Sequence, residues 1–457
     1  MGSNQIQAPK GTRDLYPADA AKRRFVTEAW RKVSVRHGFD EIDGPTFEHL
    51  ALYTVKSGEG IVSELFSFRR EGGEQDYALR PEFTPTLARM FAARAGALPR
   101  PTKWFMTGPF FRAERPQRGR LREFLQWNVD VLGDPSPQAD AEVIACCVAL
   151  LRDLGFTPEH LRVKVNHRDA LAKWLVARGV EAPRHADLFK LLDQRGKLPP
   201  DQFVAGLAAF GFNAQQAEVF IKGVIRVEIP PGATSVEVAG ERVTREQLGV
   251  QDHPEEPADL TFFSDAVRPL AVALANAGVL DWVDFDLSIV RGLAYYTGMV
   301  FEVHEATGAE RAVAGGGRYD NLVELFGGPP TPAVGFGMGD VVLTLIMQDK
   351  GLMPDETGML ERAGMRPDVF VISNGVPEAE AQLHPLVASF RAAGLHARHT
   401  SKATRNVGKL LKEAGDCRAR HAVIIESGRS CTIKDMGTGE QRQLPLDQAL
   451  GTLTTPR

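Results

Sequence analysis

The stretch Phe111-Arg112-Ala113-Glu114-Arg115-Pro116-Gln117-Arg118-Gly119-Arg120-Leu121-Arg122-Glu123-Phe124 decides the fold. Two strand-like runs, Trp104 to Phe111 and Phe124 to Leu132, flank a loop with Pro116 and Gly119 at its tip and five arginines around it. That is the pattern of an antiparallel hairpin. A solvated turn is one reading of the tip. The other is an anion grip, and it is favoured, because arginine is selected where planar forks meet phosphate. The arginines create a local positive field suited to a nucleotide triphosphate, an RNA end, or both.

Working outward, the second strand carries Gln126, Asn128 and Asp130 on one face and Leu125, Trp127, Val129 and Val131 on the other. The polar row either faces solvent or lines a polar pocket. Further strand-like runs, Phe285 to Leu287 and Met299 to His304, alternate with turns more often than with helices. The class is therefore α+β, an antiparallel sheet with flanking helices rather than a doubly wound parallel fold. Upstream, Ala20 to Gly38 reads as a helix whose buried stripe is Phe25, Ala29 and Val33. Phe39 to Ile42 reads as a strand ending at Pro45.

The middle of the chain changes character. Helical patterns at His167 to Arg178 and Ala186 to Gln194 lead into an Ala-rich stretch, Ala205 to Gly223, and a polar run, Glu228 to Gln251. Roughly residues 170–260 are expected to interrupt a domain spanning 1–350. Residues 351–366, rich in Gly, Pro and Met, read as a linker. From 367 to 457 strands such as Asp368 to Ile372 and His421 to Ile425 alternate with helix Glu378 to Ala393, which implies a small α/β domain.

Composition bounds the function class without deciding it. The 457 residues include 54 Lys+Arg against 58 Asp+Glu, a formal net charge of −4, so positive charge for RNA must be local. Cys146, Cys147, Cys417 and Cys431 lack zinc spacing and read as free thiols of a reducing compartment. Met1 to Lys10 has no apolar signal core, and no run reaches the length of a membrane span, so an intracellular protein is expected.

Three more segments hold candidate chemistry. Leu79-Arg80-Pro81-Glu82-Phe83-Thr84 sets a carboxylate and a hydroxyl two residues apart, acceptors for an ammonium group or a cap for the helix that follows. Ile289-Val290-Arg291-Gly292-Leu293-Ala294-Tyr295-Tyr296 holds two of the chain's six tyrosines side by side. On a strand they would face opposite ways, one into a pocket and one into packing; an edge hairpin is the alternative. Ala314-Gly315-Gly316-Gly317-Arg318-Tyr319-Asp320 reads as a glycine-rich turn into a helix.

Lys10-Gly11-Thr12-Arg13-Asp14, Arg80-Pro81-Glu82, the arginine hairpin, Arg291 to Tyr296 and Gly316 to Asp320 occur in the order seen in histidyl-tRNA synthetases. The chain resembles that class II family over nearly its whole length, and the Arg291 to Tyr296 segment resembles the histidine-specific subgroup. The resemblance implies a class II antiparallel catalytic sheet, a helical insertion, a C-terminal anticodon-binding domain, and a cytoplasmic homodimer with Gly38 to Pro45 near the interface. The partners implied are L-histidine, ATP with Mg2+, and tRNA(His), with no membrane and no protein-bound metal. Glu82, Thr84 and Gln126 are expected on the substrate ammonium, and Asp130 and Tyr296 on the imidazole with Tyr295 beside them. A site that satisfies both ring nitrogens rejects side chains lacking them. Arg112 is expected on the α-phosphate, with Glu114 and Arg120 also at ATP, Arg291 across from Arg112 as the second catalytic arginine, and Arg115 and Gln117 at the tRNA acceptor end.

The sequence departs from the family pattern at three places. Valine stands at Val342, where motif 3 carries the arginine that grips ATP's terminal phosphate. Either another basic residue replaces it or ATP binding is weakened. Ala294 replaces the usual Asp, and Asp130 stands where many members have Glu. The competing expectation is a catalytically impaired paralogue, acting as a regulatory subunit of ATP phosphoribosyltransferase or as a sensor of uncharged tRNA. The motif 3 change favours it, while the C-terminal domain and the retained pocket residues oppose it. A class II synthetase for proline or threonine fits the hairpin but not Arg291 to Tyr296.

Overall fold

The hairpin's strands become two ten-residue antiparallel partners, Thr102–Phe111 and Glu123–Leu132, in register from Thr102 opposite Leu132 to Phe111 opposite Glu123. The structure is a computed structural model describing residues 6–57, 59–195, 198–213, 217, 220, 224–225, 235–238, 241–244, 261–290, 295–308 and 311–454. Its contacts divide the chain into two compact units, Met1–Asp14 with Ala29–Met353, and Leu15–Glu28 with Pro354–Arg457.

In the first unit the hairpin extends into a nine-stranded sheet. From Thr102–Phe111 the order runs through Glu123–Leu132, Ala333–Gly339, Ala314–Arg318, Met299–Glu305 and Leu161–His167, every neighbour antiparallel. Parallel pairing appears only beyond this run, where Asp40–Glu41 joins one side and Val283–Asp286 the other. The glycine-rich segment corrects the expectation of a turn into a helix: Ala314–Arg318 is an interior strand, followed by a helix of four residues, Leu322–Leu325. Packing explains the choice. A methyl group on Gly316 would lie 2.1 Å from the Gly335 carbonyl oxygen, so the strand fits only with a bare backbone there.

The alternation on Glu123–Leu132 sorts its residues as expected. Trp127, Val129 and Val131 are buried on the apolar face. Trp127 stacks on Trp30 with ring centres 6.2 Å apart, meets Phe336 edge-on at 4.9 Å, and donates its indole N–H to Ser34 at 2.9 Å. A buried indole needs such a partner. The helix that supplies Trp30 runs Pro17–Arg36. Its stripe differs from expectation: Val26 and Trp30 are buried beside Phe25 and Val33, and Ala29 is half-buried.

Within the expected insertion lie helices Arg168–Ala177, His185–Asp193 and Pro200–Ala208 and a hairpin of Ser235–Val238 with Glu241–Thr244. Trp174, Phe212 and Phe220 form an aromatic core there, with centres 5.2 to 6.2 Å apart. Most of 214–260 lies outside the described residues.

The second unit contains a five-stranded mixed sheet, in the order Ala397–His399, Val369–Ser373, His421–Ile425, Ser430–Asp435, Gln441–Pro445. Val369 and Val371 pack with Leu383 and Phe390 of helix Pro377–Ala392, while Phe370 and Ile372 pack with Leu410 and Ala414 of helix Val407–Asp416. Both faces are covered, which explains the continuous apolar run. The stretch expected as a linker carries a short helix, Glu356–Arg362, capped by the Asp355 carboxylate accepting from Gly358 N–H at 2.8 Å. Among the described residues no helix is long and apolar enough to cross a membrane.

Candidate active site

The polar face of Glu123–Leu132 is withdrawn from solvent except at Gln126, which is half-buried. Asn128 and Asp130 are buried, and Gln126 donates its amide to Asn128 Oδ1 at 2.8 Å. Asp130 accepts from the Tyr319 hydroxyl at 2.6 Å. Opposite them, strand Ala333–Gly339 places Gly335 beside Asp130 and Gly337 beside Asn128. A methyl group on Gly335 would lie 1.9 Å from Asp130 Oδ1, and one on Gly337 would lie 2.6 Å from Gln126 Nε2. Glycines thus clear the space these polar groups occupy. Burial pushes the Asp130 carboxyl up to about 7, against the opposite pull of the Tyr319 hydrogen bond.

Tyr319 links this row to the tyrosine pair. Tyr295 and Tyr296 have ring centres 4.7 Å apart, and Tyr295 meets Tyr319 edge-on at 6.1 Å. The Tyr295 hydroxyl reaches Glu82 Oε2 at 3.5 Å. The expectation that the two tyrosines face opposite ways is corrected: both precede strand Met299–Glu305, so the strand's alternation does not separate them. Thr84 opens helix Thr84–Ala92, whose N-cap is Phe83 without a side-chain cap. The hydroxyl at Thr84 is therefore not the helix cap that the sequence left open.

A cavity of about 270 Å³ adjoins the row at Gln126. Arg112, Arg120 and Arg311 line it, with Glu302 and the start of helix Asp340–Asp349 at Val341 and Val342. Arg112 lies over the Phe124 ring at 5.1 Å and donates Nε–H to the Pro81 carbonyl at 3.2 Å. Arg120 forms an ion pair with Glu114. Asp340 fixes the helix start from below: its carboxylate meets Arg13 at 2.7 Å and accepts from Leu125 N–H at 2.9 Å.

The structure therefore brings Asp130 and Tyr295 to Tyr319, with Tyr296 beside Tyr295 and Glu82 at the Tyr295 hydroxyl, and Arg112, Arg120 and Gln126 around the cavity. Glu114 is held by Arg120. Arg115 and Gln117 are exposed at the hairpin tip, where Gln117 pairs its backbone with Arg120. Arg291 and Ala294 lie outside the described residues. Sequence reasoning gave no role to Tyr319 or Arg311. Tyr319 had a signal, its place beside Arg318 in the glycine-rich motif. Arg318 itself is structural, buried with Asp140 at 2.7 Å and donating to the carbonyls of Asp134 and Ser136.

A family model described as histidyl-tRNA synthetase matches residues 11–215 and 239–339. The chain belongs to the histidyl-tRNA synthetase family. Relatives named histidine–tRNA ligase agree with that membership along the whole length. The one from Haloarcula marismortui is 37% identical over 454 residues, covering 98% of this chain and 97% of its own. The one from Thermococcus kodakarensis is 35% identical over 460 residues, covering 98% of both. A histidyl-tRNA synthetase structure from Nostoc sp. PCC 7120 shares the fold, with a TM-score of 0.74 at 21% identity over 98% of this chain and 99% of that one. The polar row and the arginine cavity are thus features of a member of this synthetase family.

Proposed function

We propose that this chain joins L-histidine to tRNA(His) in two ATP-dependent steps. The observation that carries this reading is the continuity of one strand: Glu123–Leu132 presents Gln126 to the arginine cavity and Asp130 to the buried tyrosine cluster. An amino acid bridging the two would place its side chain at Asp130 and its carboxylate toward Arg112.

In the first step a histidine carboxylate oxygen attacks the α-phosphorus of ATP. The bond to the bridging oxygen breaks, and pyrophosphate leaves with the electron pair. Arg112, with Arg291, neutralises charge on the phosphate and carboxylate as it develops. In the second step the terminal ribose hydroxyl of tRNA attacks the histidyl carbonyl carbon and passes its proton to a phosphate oxygen of the adenylate, as the bond from that carbon to the phosphate breaks and AMP leaves. No side chain acts as a nucleophile, so positioning and charge stabilisation supply the acceleration. Glu82, Thr84 and Gln126 hold the ammonium group. Asp130, Tyr296 and Tyr295 hold the imidazole, and Tyr319 fixes Asp130.

Magnesium arrives with the nucleotide phosphates. Among the described residues no three His, Cys, Asp or Glu side chains gather into a metal-binding group; Glu302, whose Oε2 meets His304 Nε2 at 2.8 Å, lines the cavity. A single carboxylate beside phosphates suits Mg2+. Arg115 and Gln117, exposed at the tip, meet the tRNA acceptor end, and the domain from 367 to 457 reads the anticodon. The chain works as a cytoplasmic homodimer with Gly38 to Pro45 near the interface.

Charging purified tRNA with labelled histidine tests this reading. Histidine attachment that needs ATP is the expected result; a folded chain that charges no tRNA would contradict it. Arg291→Ala should abolish adenylate formation with the dimer intact, as size measurements would check. Truncation after about residue 367 should weaken tRNA charging far more than adenylate formation.

A further inference from the structure

Val342 leaves one wall of the arginine cavity apolar. Gly119, at the hairpin tip, has a positive φ of 74° and touches the space in question: a methyl group on it would meet Val342 Cγ2 at 3.3 Å and Arg311 Cδ at 4.0 Å. The stem of Arg311 and the side chain of Val342 therefore border the same point, although one precedes strand Ala314–Arg318 and the other opens helix Asp340–Asp349. Arg311 makes no hydrogen bond or ion pair with any described residue, whereas Arg120 beside it is paired with Glu114. Burial and the nearby Arg120 charge push the Arg311 pKa below arginine's ordinary value. Arg311 is exposed, so an anion entering the cavity that it lines can reach it. The positive end of the ten-residue helix that starts at Asp340 borders the same cavity.

We propose that Arg311 supplies the guanidinium that grips the terminal phosphate of ATP, replacing from a neighbouring segment the arginine that Val342 lacks. The proposal rests on the reading of the cavity as the ATP site. Arg112, at the Gln126 end, stays with the reacting phosphate. Arg311, at the Gly119 end, takes the far end of the triphosphate, where a fork can meet two oxygens at once.

The experiment compares ATP and AMP affinities by calorimetry on the full chain. In the unmodified chain ATP should bind more tightly than AMP. Arg311→Ala should lower ATP affinity about 10-fold to 100-fold, the range of a charged hydrogen-bonded contact, and leave AMP affinity within about twofold. The histidine KM in pyrophosphate exchange should not move. Arg311→Lys should retain part of the difference, and Val342→Arg added to Arg311→Ala should restore it. Equal loss of ATP and AMP affinity, or loss of neither, would overturn the assignment. Failure of the double variant to recover would overturn the claim that the two positions serve one subsite. Histidine-dependent exchange by the unmodified chain tests the reading beneath the proposal separately, because the ATP-to-AMP ratio does not depend on it.

Discussion

The buried polar cluster around Asp130 and the open cavity around Arg112 share one strand but are built by opposite means. In the cluster a carboxylate is buried, held by one hydroxyl, and given room by glycine. In the cavity three guanidiniums crowd together with Glu114 as the paired carboxylate. The first arrangement suits a ligand that offers N–H groups, and the second suits an anion. Selectivity therefore belongs to the buried side, where an unpaired polar group is expensive, and charge stabilisation to the open side.

Four substitutions would break or sharpen this contrast. The largest expected effect is on the open side: Arg112→Ala should slow histidine-dependent pyrophosphate exchange by about 100-fold to 1,000-fold, the scale of one lost electrostatic donor. Stopped-flow or isotope exchange would measure it, and an unchanged rate would remove Arg112 from the phosphate. On the buried side, Asp130→Asn should raise the histidine KM by about 10-fold to 100-fold and leave the ATP KM in place. A matched rise in both KM values would mean the two regions are not separate sites.

Asp130 also predicts a pH dependence. Its folded value, about 7, lies above its ordinary value of 3.8. The carboxyl's contribution to stability is thus full below about pH 4 and lost as pH rises through about 7. Thermal melting of Asp130→Asn should accordingly gain on the unmodified chain as pH rises across that window. Binding runs the other way, because ionised Asp130 is the better acceptor for a ring N–H. The histidine KM should fall as pH rises through about 7, and the Asn variant should lack that limb.

Smaller still, Gly335→Ala should raise the histidine KM by roughly 10-fold, since its methyl group would displace the Asp130 carboxylate. The smallest effect is expected at Arg118, whose exposed pair with Asp349 spans 3.2 Å. Arg118→Ala should change the ATP KM by less than about twofold. A large effect there would show that the whole hairpin field, not the cavity's own arginines, binds the nucleotide.

The hairpin and its polar row were legible because strand periodicity and turn chemistry are local properties. Trp127 and Asp130 had to point opposite ways once Glu123–Leu132 was a strand. The glycine run was misread for the converse reason. Gly315 to Gly317 look like a turn until Phe336 and the Gly335 carbonyl press against Gly316, and that contact comes from a distant strand. Tyr295 and Tyr296 follow the same lesson, since only the fold shows that both rings and Tyr319 converge. Arg311 could not be found from spacing at all. It stands 31 residues before Val342 in sequence (342 less 311), and only the sheet brings both to Gly119.

The most direct test of the account is pyrophosphate exchange into ATP by the purified chain, run separately with each of the twenty amino acids. Exchange with histidine alone is the predicted result, because only an imidazole meets Asp130 and the tyrosines while its carboxylate reaches Arg112. A folded protein that binds histidine yet exchanges with no amino acid would contradict it, and would turn the assignment toward the non-catalytic paralogue.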